Sequence, residues 1–333
     1  MTPVLANIRS RLKQAGRRVF PSGKRHVSAG AAHTDTPLLS SDDIAELAVQ
    51  AGRLAQAPTR REVHDHHAGD WPSAWLGRGL DFEEARPYTP GDDIRDMDWR
   101  TTARLGQPFV KTYREERQPA LHVVMDRGPS MRFGTRRHLK AAQAAHIAAL
   151  LAFAASERNV AVGATLWDVH DLNLPPRHGR SGIVELVQIA AAACPPLPAE
   201  AAEAVHEADR LHALAEELPR GVRLLLISDF SWLGVEHETP LAHLAERTDL
   251  LAVRVSDPAE RELPNVGLAR FQDMNTGDIR WLDTGSAAAR NMHAAEFSRW
   301  RAQIDALFGR AGVHCLDMGS ETDDLVQVFQ GHA

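Results

Sequence analysis

Acidic residues are missing from positions 1–34, where Arg9, Arg11, Lys13, Arg17, Arg18, Lys24 and Arg25 stand unopposed, although the whole chain has a formal net charge of -6. Basic character is thus confined to one arm, which excludes a globally basic nucleic-acid binder. Val4, Ile8 and Leu12 fall at helical spacing along this arm. That pattern suits a solvated terminus, or contact with an acidic partner or an anionic membrane surface. Cysteine is nearly absent too. Cys194 and Cys315 form no Cys-x-x-Cys pair, the usage expected of a reduced, cytoplasmic protein with no disulfide frame. Long apolar runs are lacking: the stretch 147–155 falls far short of the roughly 20 residues of a membrane span. Residues 1–20 carry no apolar h-region, so no secretory leader is expected.

Several catalytic signatures are also missing. Neither Gly-x-x-x-x-Gly-Lys-[Ser/Thr] nor Gly-x-Gly-x-x-Gly occurs, so an ATPase activity would have to belong to a separate chain. No Gly-x-Ser-x-Gly elbow is present for a nucleophilic serine. The 17 histidines include His64-Asp65-His66-His67, a dense cluster without a second ligand group at zinc spacing. His206-Glu207 with His212, and His237-Glu238 with His243, both fail the His-Glu-x-x-His pattern, and Pro240 is expected to break the helix such a motif needs.

What is present is an ordinary globular composition: 333 residues, 44% hydrophobic and 25% charged, enough to bury a sizeable core. The text of the sequence divides into a basic arm (1–40), an N-terminal helix with a charged module (41–117) and a larger domain (118–333). Ser41-Asp42-Asp43 opens the N-terminal helix, since polar caps and acids favour that end of the helix dipole. In the larger domain, short apolar strands are predicted at 121–125, 160–167, 224–228, 250–255 and 313–316. They alternate with helical patterns at 137–158, 183–193, 201–217 and 288–311. This rhythm predicts an α/β fold with a mostly parallel sheet flanked by helices. One hairpin interrupts it, at 268–274 and 278–283 around Asn275-Thr276-Gly277.

In such sheets ligands bind beyond the carboxyl ends of the strands. Asp126, Asp168, Asp229 and Asp257 each lie at or just after a predicted strand end. Carboxylates gathered at one edge repel unless a cation or an arginine neutralises them. Asp126, the Ser130 hydroxyl and Asp229 offer oxygen ligands that suit Mg²⁺. The alternative is that these are turn and helix-cap aspartates.

Ahead of the sheet the chain reads Gly77-Arg78-Gly79-Leu80-Asp81-Phe82-Glu83-Glu84-Ala85-Arg86-Pro87-Tyr88-Thr89-Pro90-Gly91-Asp92-Asp93-Ile94-Arg95-Asp96-Met97-Asp98-Trp99-Arg100, with Arg104 following. Thr89-Pro90-Gly91-Asp92 has turn chemistry, and Asp92 and Asp93 are placed to cap a short helix. Ile94, Met97 and Trp99 are expected to anchor on the neighbouring sheet. Arg86, Arg95 and Arg104 are planar forks for bidentate carboxylate contacts. Two readings stand side by side: an ion-pair cluster that fastens the module in place, and a partner-binding surface.

This run resembles the signature of the bacterial domain-of-unknown-function family fifty-eight. The likeness continues through Lys111, Glu115-Glu116-Arg117, Asp126, Ser130-Met131, Phe133-Gly134, Lys140, Ile227-Ser228-Asp229-Phe230, Asp257-Pro258-Ala259-Glu260 and Glu262-Leu263-Pro264. In addition, Asp126-x-Gly128-x-Ser130 looks like the Asp-x-Ser-x-Ser metal-ion-dependent adhesion site of von Willebrand factor A domains, with Gly128 in place of the middle serine. The resemblance implies a von Willebrand A-like domain that binds protein partners. It further implies a MoxR-type AAA+ ATPase partner and a non-enzymatic role as adaptor or co-chaperone in assembling or activating a client. Two other functions follow from the residues: a metal-dependent hydrolase using a carboxylate of this edge as general base, and a membrane-surface scaffold held by the basic arm.

Overall fold

The computed structural model describes residues 36–56, 84–89, 97–112, 120–196, 207–272 and 278–331. Two units emerge, Gly77–Pro119 and the rest of the chain.

The smaller unit holds β1 (Glu84–Pro87), α1′s successor α2 (Trp99–Leu105) and β2 (Phe109–Thr112), where α1 is the helix Ser41–Gln56 of the larger unit. β1 and β2 pair antiparallel, and Tyr88 N–H donates to the Pro108 carbonyl at 2.8 Å just past the ladder. α2 starts because Asp98 caps it: the carboxylate accepts from the Arg100 and Thr101 amides. It stops at Gly106, whose φ of 69° is left-handed.

The larger unit is built on a six-stranded sheet. Its strands are β3 (Ala120–Asp126), β4 (Ala161–Trp167), β5 (Leu172–Arg177), β6 (Arg223–Ser228), β7 (Asp249–Ser256) and β10 (His314–Gly319), in the order β10-β7-β6-β3-β4-β5. All pairs are parallel except β4–β5. The five expected strands are all there, their bounds shifted by at most three residues. β5 is an addition, and its physics explains why it was hard to read. Pro175 and Pro176 cannot donate to a ladder, so the strand survives only at an edge and across a register shift. Gly163 lies opposite that irregularity: a Cβ there would meet Leu174 O and Pro176 N at 2.8 Å each.

Helices cover both faces. On one, the alanine-rich α3 (Lys140–Glu157) packs with α1 and α4 (Arg180–Ala191) over one apolar core. On the other lie α5 (Glu207–Glu217), α6 (Glu238–Arg247) and α8 (Ala287–Ala311), whose buried leucines and Phe308 join a second core. The short α7 (Pro258–Arg261), the hairpin β8 (Leu268–Gln272) with β9 (Ile279–Asp283), and α9 (Leu325–Gly331) complete the unit.

Two expectations are corrected. The N-terminal helix was assigned to the charged module, yet α1 buries Leu47, Ala51 and Leu54 in the core shared with α3. Each buried leucine is worth about 1.5–3 kcal/mol, so this stripe fastens α1 to the sheet domain. Its cap is Ser40, which exchanges hydrogen bonds with Asp43. Pro240 does not break a helix: it falls in the first turn of α6, where no intrahelical amide is needed. Trp99 is 64% exposed on α2. The turn and cap at Gly91, Asp92 and Asp93, the fork of Arg95, the cluster at His64, His66 and His67, and the basic arm lie outside the described residues.

Candidate functional site

Because β3, β4, β6 and β7 run parallel, their carboxyl ends share one edge. Asp126 ends β3, and Asp168, Asp229 and Asp257 directly follow β4, β6 and β7. The chain steps from β3 to β4 on one side and later returns to β6 on the other. Asp126 and Asp229 therefore flank the switch point where strand order reverses, the usual ligand crevice of open α/β sheets.

All four side chains are engaged by the protein itself. One oxygen of Asp126 accepts from the Gly128 amide at 2.8 Å, and the other from the Ser228 hydroxyl at 2.5 Å. Burial and then the nearby charge of Asp229 push the Asp126 carboxyl up to about 6. Ser228 is itself fixed by the amide of Phe230 and the indole N–H of Trp232, at 3.0 and 3.1 Å.

Asp168 is clasped by two buried arginines, Arg127 Nε at 3.0 Å and Arg132 Nη2 at 2.9 Å. Those guanidinium groups also serve backbone carbonyls. Arg127 donates to Ile189 and Ala193, and Arg132 to Arg127 and Pro195. The pair is a structural clasp that ties the β3 and β4 ends to the loop after α4. Asp257 accepts from Thr135 at its amide (2.8 Å) and hydroxyl (2.5 Å), and from the Ser320 hydroxyl at 2.9 Å. Burial would raise its carboxyl, but these hydrogen bonds hold it below the usual range.

Asp229 meets Lys140. The buried ammonium lies 2.7 Å from Asp229 Oδ2 and 2.5 Å from Glu260 Oε1. Burial alone would lift Asp229, but the charge and hydrogen bond of Lys140 outweigh it and keep the carboxylate ionised. Lys140 is driven the other way from the usual buried lysine: the two carboxylates overcome desolvation and raise it. On its other oxygen Asp229 accepts the Ser231 amide at 2.9 Å. Phe230 between them has φ 55°, a left-handed conformation that costs a bulky residue about 1–3 kcal/mol. That twist brings the Ser231 hydroxyl to 3.1 Å from Ser130 Oγ, and Ser130 also hydrogen-bonds Asp229.

The expected trio Asp126, Ser130 and Asp229 is thus brought together at one edge. Whether it could hold Mg²⁺ is a question of free ligand oxygens. Asp126 has both oxygens engaged and is readily protonated, Asp229 faces an ammonium, and Gly128 supplies no hydroxyl. Among the described residues no group of three His, Cys, Asp or Glu side chains is placed to hold an ion. The residues here do not fit a divalent cation.

Of the signature residues, Tyr88 is half-buried beside the β1–β2 ladder and Asp98 is the cap of α2. Arg86 lies in β1. Trp99, Arg100, Ala103, Arg104 and Leu105 are exposed along α2. Sequence reasoning did not assign Lys140 or Glu260 to the site. The available signal was a basic residue opening a long helix with no acid in its first turn, against the helix dipole.

The fold and edge define a class: an α/β protein with a mostly parallel six-stranded sheet, helices on both faces, and an acidic carboxyl edge neutralised from within. The chain belongs to the DUF58 family, whose model, described as a protein of unknown function, matches residues 84–303. An uncharacterized protein of Mycobacterium tuberculosis is 31% identical over 270 residues, 80% of this chain and 82% of the relative. One of Mycobacterium bovis shows the same identity and coverage. Among solved structures, the conserved hypothetical protein BatB of Bacteroides thetaiotaomicron aligns with a TM-score of 0.42 at 12% identity, covering 64% of this chain and 96% of that one. An aerotolerance-related membrane protein of Bacteroides fragilis aligns with a TM-score of 0.37 at 14% identity, covering 58% of this chain and 98% of that one. In this chain, no helix among the described residues is long and apolar enough to cross a membrane.

Proposed function

We propose that this chain is a non-enzymatic, cytoplasmic protein-binding adaptor or co-chaperone. It works with a MoxR-type AAA+ ATPase on a client, and its larger unit is a von Willebrand A-like domain. The observation that carries the reading is the signature helix α2. Trp99 is 64% exposed and Leu105 54% exposed, beside the exposed Arg100 and Arg104. A solvent-facing tryptophan flanked by arginines matches the composition of interface hot spots. The edge supports the same reading. A hydrolase needs a carboxylate free to meet water; Asp168, Asp229 and Asp257 are held by protein donors, and Asp126, whose carboxyl is raised, has one oxygen on the Gly128 amide and the other on the Ser228 hydroxyl.

The test is direct binding of the full chain to a purified MoxR-type ATPase, with and without ATP, by interferometry. Wild type is expected to bind, and Trp99→Ala to weaken binding at least about tenfold while the thermal midpoint stays put. Equal binding by Trp99→Ala and wild type, or no binding in any nucleotide state, would sink the proposal. Turnover of a phosphate or peptide substrate, lost in Asp126→Ala, would sink it as well and install the hydrolase.

A further inference from the structure

We infer that Lys140 is a built-in cation: its ammonium does at this edge what a bound divalent ion would do, so the site works without metal. Three acidic side chains converge here from separate strand ends. Asp126 ends β3, Asp229 follows β6, and Glu260 sits on α7 just beyond β7. Unneutralised, they would repel across a buried, low-dielectric space. The Lys140 side chain is 1% exposed and touches two of the three, at 2.7 Å and 2.5 Å.

Its position is fixed from both directions. Lys140 is the first residue of α3, its amide donating to the Phe133 carbonyl at 2.9 Å. Glu260 is held by closing the capping box on Asp257, whose amide donates to Glu260 Oε2 at 3.0 Å. The glutamate's other oxygen takes the ammonium. Asp257 in turn is tied to Thr135 and Ser320. A single hydrogen-bonded lattice therefore joins the ends of β3, β6, β7 and β10 to the start of α3. An ammonium also differs from a metal in a way that matters for recognition. A bound ion with open positions can accept a partner's carboxylate directly, but Lys140 has its donors turned inward to Asp229 and Glu260. What the edge offers outward is the half-exposed hydroxyl pair Ser130 and Ser231.

The inference concerns the protein alone, so its test needs no partner and its failure is separate from failure of the adaptor reading. Wild-type full chain is titrated with MgCl₂ and with MnCl₂, and treated with EDTA, while the thermal midpoint is followed and Mn²⁺ uptake is read by electron paramagnetic resonance. The expected result is no bound Mn²⁺ and a midpoint shift below about 1 °C. A site saturated a hundredfold would instead raise the midpoint by roughly 5–10 °C. Such a rise, abolished by Asp229→Asn, overturns the inference. Lys140→Met supplies the second arm. It is expected to lower the midpoint sharply, and adding Asp229→Asn to it is expected to recover part of the loss, because the uncompensated buried charge is then gone. A Lys140→Met protein as stable as wild type overturns the inference too. If Lys140→Met does not fold, the wild-type titration still decides.

Discussion

Two buried groups on β3 titrate in opposition, and separating them makes a demanding test of the structure. His122 is buried with Nε2 on Thr165 Oγ1 at 2.8 Å, and burial lowers it from 6.5 to about 4. Asp126, four residues on, is raised by burial and by Asp229 from 3.8 to about 6. Between about pH 6.5 and 4 the unfolded chain takes up the histidine proton and the folded chain does not, so acidification removes stability. Between about pH 6 and 3.8 the folded chain takes up the aspartate proton and the unfolded chain does not, so acidification adds stability. Each shift spans a little over two units, worth about 3 kcal/mol apiece at 1.4 kcal/mol per unit. Their contributions therefore nearly cancel on going from pH 7 to 4. Asp126→Asn exposes the histidine's side of the balance. It is expected to lose about 3 kcal/mol more than wild type over that interval. His122→Gln is expected to lose about 3 kcal/mol less, and the double variant to track wild type. Urea unfolding followed by tryptophan fluorescence at pH 7, 6, 5 and 4 measures this. Titrating groups far from both positions drop out of the differences because they are common to all four proteins, whereas Asp229, whose charge acts on Asp126, responds to Asp126→Asn. If Asp126→Asn and wild type run parallel, the burial assigned to Asp126 is wrong.

Other outcomes follow from single packing facts. Gly163→Ala places a methyl within 2.8 Å of the β5 backbone and 2.9 Å of His122 Nδ1; it is expected to cost about 1–3 kcal/mol, read as a lower urea midpoint with an unchanged slope. Arg132→Met removes one of two guanidinium groups from Asp168 and strips the Arg127 and Pro195 carbonyls of a donor. Breaking a buried pair in this way is expected to cost about 3 kcal/mol, the lower end of the range because Arg127 stays in place. Combining it with Asp168→Asn should then recover little, and full recovery would show that the carbonyl bonds of Arg132 contribute nothing.

The fold was largely legible because its signals are local. Runs such as 224–228 are followed directly by an acid, and helices such as α5 bury residues at helical spacing, Leu211, Leu214 and Ala215. What escaped depends on neighbours. β5 reads as a broken strand until β4 supplies a side-chain-free position at Gly163 opposite its prolines. α6 was lost to a rule applied at the wrong end, since proline disrupts helix interiors and not first turns. α1 was assigned to the charged module by adjacency in sequence, but its leucine stripe carries no label naming the face it meets. Only the shared core with α3 settles that.

The site shows the same division at the level of chemistry. Strand-end aspartates can be found from sequence, because each sits at a recognisable boundary. Their neutralisation cannot, because the balancing charges come from distant positions: Arg132 for Asp168, and Lys140 for Asp229, 89 residues away. An acidic edge read alone calls for an external cation, which is why Mg²⁺ was the natural expectation. One residue argued otherwise. Lysine at the first position of α3 is disfavoured by the helix dipole, and α3 carries no acid in its first turn to offset it. A helix that accepts that local penalty has its compensation elsewhere, and here it is the pair of carboxylates at 2.7 and 2.5 Å. Charge that is locally misplaced at a helix start, facing an edge with unexplained charge of the opposite sign, is thus a sequence-level signal that the counter-ion belongs to the chain.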